Sequence, residues 1–167
     1  MKRKDEVMRI VTISEELLNV YYEDDQVLQK HTRPCVLIVR LKYKGEFHTF
    51  AVPLRSNIPS FVPKSQFFAL PPRSTTKPGH RHGIHYIKMF PVDDRYAYRF
   101  NMSGKYQTTV KSLIDNNESK IVSECQAYLT AYENGLRPNY CTDIDFLLAR
   151  LKEFQASRDK EKEKTTV

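Results

Sequence analysis

Cys35–Leu54 reads CVLIVRLKYKGEFHTFAVPL, and the fold turns on it. It opens as an unbroken apolar run, then alternates, with Val39, Leu41 and Tyr43 set against Arg40 and Lys42. That pattern predicts a strand buried at its start and half-exposed at its end. Lys44-Gly45-Glu46 reads as a turn, and Phe47–Leu54 (FHTFAVPL) as the returning strand. Together they predict an antiparallel β-hairpin. Pro53 cannot donate to a ladder, so it predicts an edge or a bulge near the end of the second strand.

Upstream, Ser14 has the character of a helix N-cap, and Glu15 and Glu16 suit the positive end of the helix dipole. Leu17, Leu18, Tyr21 and Tyr22 follow at helical spacing, and Asp24-Asp25 predicts an early end. Downstream, Arg55–His82 is rich in Pro, Ser, Lys and Arg and reads as a long loop, with a short helix or strand at Lys64–Leu70. Gly83–Val92 (GIHYIKMFPV) and Tyr96–Met102 (YAYRFNM) read as strands. Past Gly104 the period becomes helical. Tyr106–Ile114 is followed by a break at Asn116-Asn117. A stripe of Ile121, Val122, Cys125, Tyr128, Leu129 and Tyr132 then ends at Gly135 and Pro138. Thr142 with Asp145 resembles a capping box for a last helix through Leu147, Leu151 and Phe154. The pattern predicts one α+β domain over residues 1–157, an antiparallel sheet with flanking helices, and a charged, disordered tail over 158–167.

The chain has 167 residues, 40% of them hydrophobic, which is enough for a real core. No apolar run is long enough to span a bilayer and no signal region follows the basic start, so the expected compartment is the cytoplasm. Cys35, Cys125 and Cys141 have neither zinc-ligand spacing nor an even count, and read as reduced thiols.

Net charge is +7, concentrated in the middle. Lys30–Lys111 carries fifteen Lys/Arg against Glu46, Asp93 and Asp94, and Phe50–Pro91 has no carboxylate. Such a field attracts phosphate polyanions. Two-metal nucleases hold Mg²⁺ on several carboxylates, which this region lacks. GHRHGIH (79–85) offers His80, His82 and His85, but no neighbouring Cys, Asp or Glu completes a metal set. No Gly-rich phosphate loop, GxSxG elbow or HExxH helix is present. No metal and no cofactor are therefore expected. RNA permits cleavage without either, because its 2′-OH is an internal nucleophile; Lys, Arg, His, Tyr and Ser then suffice as base, acid and phosphate donors. Arg55 and Ser56, after Pro53-Leu54, are candidates to grip a phosphate.

The order of segments carries a resemblance. Thr12-Ile13-Ser14, RPCVLIVRL (33–41), FAVPLRSN (50–57) and GIHYIKMFPV (83–92), followed by C-terminal helices, resemble the ToxN/AbiQ endoribonuclease toxins of bacterial type III toxin–antitoxin systems, TenpN and CptN branches included. The likeness covers about Met8–Phe154. It implies a compact twisted antiparallel sheet with flanking helices, similar to the MazF/Kid toxins. It also implies metal-independent, sequence-specific cleavage of single-stranded RNA to 2′,3′-cyclic phosphate and 5′-OH ends, and a role in phage defence. The implied partner is a small structured repeat RNA, pseudoknot-like, that the toxin processes and that inhibits it within a closed toxin–RNA ring.

Around the "PL" pair, ToxN-like proteins carry Thr-Ser where this chain has Arg55-Ser56, and a lysine where it has Ile58. The catalytic set implied is Arg55, Ser56 and Arg33 on the phosphate, with Lys64 or Lys88, or a loop histidine, moving protons. Lys30, Arg73, Lys77, His80, Arg81, His82, His85, Tyr21 and Tyr22 are the candidates for holding RNA. A non-catalytic RNA-binding module, and an interaction domain with an incidental basic face, are the other readings of the same charge map.

Overall fold

The computed structural model describes residues 7–165. In chain order the elements are β1 (Met8–Ile13), α1 (Glu15–Val20), β2 (Cys35–Tyr43), β3 (Glu46–Ile58), β4 (Phe67–Leu70), β5 (Arg81–His85), β6 (Phe90–Pro91), β7 (Ala97–Arg99), α2 (Lys105–Asn116), α3 (Glu118–Glu133) and α4 (Ile144–Thr165). The strands form one antiparallel sheet in the order β4-β5-β3-β2-β1-β7, with β6 also paired to β3. The α+β expectation holds.

The hairpin forms as read. Lys44 and Gly45 both have positive φ, 51° and 81°, the signature of a two-residue turn whose twist matches the strands. The unbroken start of β2 has a physical cause: both faces of the sheet are covered. Val36 and Ile38 join Met8, Ile10 and Val52 in a core under α2 and α3, with Val110, Ile114, Ile121 and Leu129. Leu37 joins Val11, Ile13, Ala51 and Phe90 in a second core under α1 and α4, with Leu17, Leu18, Leu147 and Leu151. A strand buried on both sides reads as a run, and it alternates only where one side opens to solvent. Each such Leu, Ile or Val contributes about 1.5–3 kcal/mol.

Several expectations change. β1 pairs with both β2 and β7 and was not read as a strand. β3 does not end at Leu54 but runs to Ile58, so the Pro-Leu-Arg-Ser segment lies inside a central strand. Pro53 is tolerated there because Leu54 N donates to Pro34 O at 3.0 Å, which turns the proline nitrogen toward the opposite flank. On that flank β3 changes partner, from β6 at Phe50–Ala51 to β5 at Leu54–Arg55. Lys64–Leu70 supplies both alternatives, a 3₁₀ turn at Lys64–Gln66 and then β4. GIHYIKMFPV is not one strand: a 3₁₀ turn at Tyr86–Lys88 separates β5 from β6.

α4 is capped by Asp143, whose carboxylate accepts from Phe146 N at 3.1 Å. Thr142 instead is buried and donates to Met89 O at 2.5 Å. The tail expected to be disordered continues α4 to Thr165. Arg158 anchors it, lying over Phe154, pairing with Glu161 at 2.9 Å and bonding Glu16 in the first turn of α1. Among the described residues, no helix is long and apolar enough to cross a membrane.

Candidate active site

Successive side chains of a strand point to opposite faces. Beyond Pro53 this rule separates residues that are neighbours in sequence. Leu54 and Ser56 face one side of β3 and Arg55 faces the other. The same parity holds in β5, where His82 lies with Ser56, and His85 with Arg55. Arg55 and Ser56, expected to act together on one phosphate, thus belong to two recesses.

The Ser56 side is a polar cleft of about 210 Å³ that brings together Lys30, Arg33, Ser56, Arg73, His82 and Tyr106, with no carboxylate in its lining. Arg33 donates from Nη1 to Leu54 O at 3.1 Å, but its Nε–H is buried with no acceptor. Burial lowers its pKa, and the Arg55 charge lowers it further. His82 is 4% exposed. Its Nδ1 lies 3.0 Å from Pro71 O and 2.7 Å from the Tyr106 hydroxyl, which itself donates to Pro71 O at 2.5 Å. A carbonyl can only accept, so Nδ1 carries the proton and Nε2 keeps its lone pair. Burial, and the Arg73 charge, push the His82 pKa down, against the pull of Pro71 O. The ring is therefore a neutral base of fixed tautomer.

The Arg55 side is a larger cavity of about 440 Å³ whose lining includes Gln26, Arg55, Phe61, His85, Lys88 and Tyr140. The 3₁₀ turn rotates Lys88 inward, where Nζ donates to Gln26 Oε1 at 2.7 Å and to Tyr140 O at 2.8 Å. Burial, then the Arg55 charge, brings its pKa down to about 8. His85 is 1% exposed, and neither ring nitrogen has a partner. Burial, Arg55 and Lys88 hold its pKa at about 3, so it is neutral.

The other candidates fall elsewhere. Lys64 lines a separate depression with Phe68, Lys120 and Glu124. Lys77 is exposed on the loop, its N–H held by Asn57 Oδ1 at 2.7 Å. His80 is half-buried and its Nδ1 lies 3.2 Å from Pro78 O; Arg81 points to solvent from β5. Tyr21 is a core residue, not an RNA contact: it is fully buried and its hydroxyl donates to Pro91 O at 2.6 Å. Tyr22 is 67% exposed.

His82, expected at the end of an exposed loop, is buried in β5 together with His85. Gly83 allows this, since a Cβ there would lie 2.5 Å from Phe68 O of β4. Among the described residues, no three His, Cys, Asp or Glu side chains are grouped to hold a metal. Tyr106, Gln26 and Tyr140 were not read as site residues. Tyr106 sits in the helical stripe, and nothing in its spacing marks it.

No family model matches the chain, and no curated protein matches it. Solved structures do. One is from a bacterial antiviral system regulated by a processed non-coding RNA, at 18% identity and TM-score 0.66, covering 87% of this chain and 98% of that one. Another is from a type III toxin–antitoxin system with selective toxin inhibition by a non-coding RNA pseudoknot, at 18% identity and TM-score 0.68, covering 90% and 99%. A third is AbiQ, a lactococcal anti-phage endoribonuclease of the type III class, at 15% identity and TM-score 0.62, covering 90% and 99%. The chain has the fold of the type III toxins. At these identities the likeness is one of fold, and it points to the same proteins as the resemblance in RPCVLIVRL and FAVPLRSN.

Proposed function

We propose that the chain, over residues 1–157 as one domain, is an endoribonuclease toxin of the type III kind that cuts single-stranded RNA in the Ser56 cleft without a metal. The observation that carries this reading is His82, a neutral base of fixed tautomer, set among cations in a cleft without carboxylates. His82 Nε2 removes the proton from the substrate 2′-OH. The O2′–P bond forms, the P–O5′ bond breaks, and the Lys30 ammonium protonates the departing 5′ oxygen. The products are a 2′,3′-cyclic phosphate and a 5′-OH. Arg33, whose Nε–H lacks an acceptor, Arg73 and the Ser56 hydroxyl donate to the non-bridging oxygens as charge builds on them.

The basic loop over 71–81 and Tyr22 add RNA-binding surface. The inhibitor in this reading is a small structured repeat RNA that the toxin itself cuts out, assembled with it in a closed ring that covers the cleft, in cytoplasmic defence against phage. The structural neighbour inhibited by an RNA pseudoknot supports that partner.

The test is incubation of the protein with mixed-sequence single-stranded RNA in excess EDTA, followed by end analysis. Discrete cuts with cyclic phosphate ends, lost in Ser56→Ala/His82→Ala, are expected. Intact RNA with a salt-sensitive mobility shift would reduce the protein to a binding module.

A further inference from the structure

The cavity on the Arg55 face has no part in the chemistry above, yet it has unmet bonding capacity. A buried polar group without a partner costs roughly 1–3 kcal/mol and calls for an explanation. His85 has two such atoms at 1% exposure. The Arg55 guanidinium has no hydrogen bond or ion pair among the described residues, and Lys88 has filled two of its three N–H donors. No carboxylate lines the cavity. Its floor therefore suits an anion and a base edge.

Its rim is aromatic. Phe61 is 73% exposed and Tyr140 64% exposed, both on the cavity wall. Tyr140 has φ +69°, a left-handed conformation that is costly for a bulky residue and that recurs at ligand clamps. In that conformation its carbonyl holds Lys88 while its ring stays in solvent. A volume of about 440 Å³ lies within the range of small-ligand sites.

We propose that this cavity holds one nucleotide of the RNA strand cut in the Ser56 cleft, with its base against Phe61 and Tyr140, its edge on His85 and its phosphate on Arg55. Arg55 and Ser56 are adjacent on β3, and the Arg55 charge acts on Arg33 in the cleft as well as on His85 and Lys88 in the cavity. The two sites are thus anchored on consecutive residues of one strand, and the RNA in this proposal runs from one to the other. The cavity then selects sequence beside the scissile bond, because a neutral imidazole offers one donor and one acceptor. This inference rests on the RNA reading above.

The test uses exposed residues, whose replacement leaves the core intact: Phe61→Ala and Tyr140→Ala. Binding is read by anisotropy with a mixed-sequence 2′-O-methyl octaribonucleotide, which cannot be cleaved. Kd should rise about 5- to 150-fold for each lost stacking partner. A 2-aminopurine scan along that octamer should show quenching at one position only, lost in both variants. Cleavage of dinucleotides, too short to reach the cavity, should keep its kcat/KM. Unchanged Kd in both variants overturns the proposal. So does a loss of dinucleotide cleavage, which would place the aromatics in the catalytic cleft. Octamer binding by the native protein without cleavage of ordinary RNA would overturn the catalytic reading alone, and the Kd comparison would still decide the cavity. No binding at all would overturn both.

Discussion

The sharpest consequence of the cleft geometry concerns Tyr106, which touches no substrate in the proposed chemistry. Its hydroxyl lies 2.7 Å from His82 Nδ1 and donates to Pro71 O at 2.5 Å. In Tyr106→Phe one contact to the ring is lost, while Pro71 O at 3.0 Å still fixes the tautomer. A neutral hydrogen bond is worth about 0.5–1.5 kcal/mol net, so kcat/KM should fall only about 2- to 13-fold. His82→Ala removes the base itself and should cost about 10²- to 10⁴-fold.

The pH dependence separates the two variants further. Burial lowers the His82 pKa below the ordinary 6.5, so the base form prevails at neutral pH and activity falls only as pH drops through that lowered value. This acid limb should persist in Tyr106→Phe and vanish in His82→Ala. The assay is initial-rate cleavage of a fluorogenic oligoribonucleotide from pH 4.5 to 8, with urea midpoints to exclude damage to the fold. His82→Ala within about threefold of the native rate, or an unchanged acid limb in it, would refute the assignment of the base. Tyr106→Phe as inactive as His82→Ala would mean that Tyr106 acts on the substrate directly.

Gly83→Ala tests the packing that buries the histidines: the new Cβ meets Phe68 O at 2.5 Å and Phe67 Cδ2 at 3.0 Å, so β4 must retreat. It should destabilise by about 1–3 kcal/mol, and it should slow cleavage because Pro71, just after β4, orients His82; a urea midpoint equal to the native one would contradict the packing. His85 should make the protein acid-sensitive. Its pKa is about 3 in the fold and 6.5 as a free side chain, so between these values the unfolded state binds a proton that the folded state does not, and stability falls as pH falls. His85→Leu should make the fall of urea-derived stability between pH 4.5 and 6.5 shallower, the remainder coming from His82 and His48, which burial also lowers; Asp93, held at about 2, takes up its proton below this window. An unchanged slope would place the acid sensitivity elsewhere.

The legible parts of the sequence were those whose cause is local. The β2–β3 hairpin was written in a run, an alternation and a turn, and α1 and α3 in a cap and a stripe. The site was less legible because its causes are non-local. His82 looked like the end of a loop, and only the approach of β4 to Gly83 shows why it is buried in a strand. Arg55 and Ser56 looked like one strand end. β3 stays extended past Leu54, and the alternation sends them to opposite faces. β1 was hidden because MRIVTI is short and follows a charged start. The tail was judged by its charge, without sight of Phe154 and Glu16, which hold Arg158.

Pro53 links the fold to both recesses. A proline inside a central strand is ordinarily a defect, since it leaves a neighbour's carbonyl without a donor. Here the nitrogen faces the one stretch of β3's flank where β6 has ended and β5 has not begun. The chain between those two strands cannot pair with β3 there, so it coils as the Tyr86–Lys88 turn. That turn carries Lys88 into the interior beside His85 and opens the Arg55 cavity behind the strand. On the other flank Cys35 still pairs with Pro53 and Pro34 O holds Leu54 N, which keeps Arg33 against Leu54 O at the mouth of the Ser56 cleft. A single missing donor thus coincides with the break in the ladder on one side of β3, while Pro34 O still holds the strand on the other. The proposed catalytic cleft and the proposed nucleotide cavity open on the two faces of β3 just past this point.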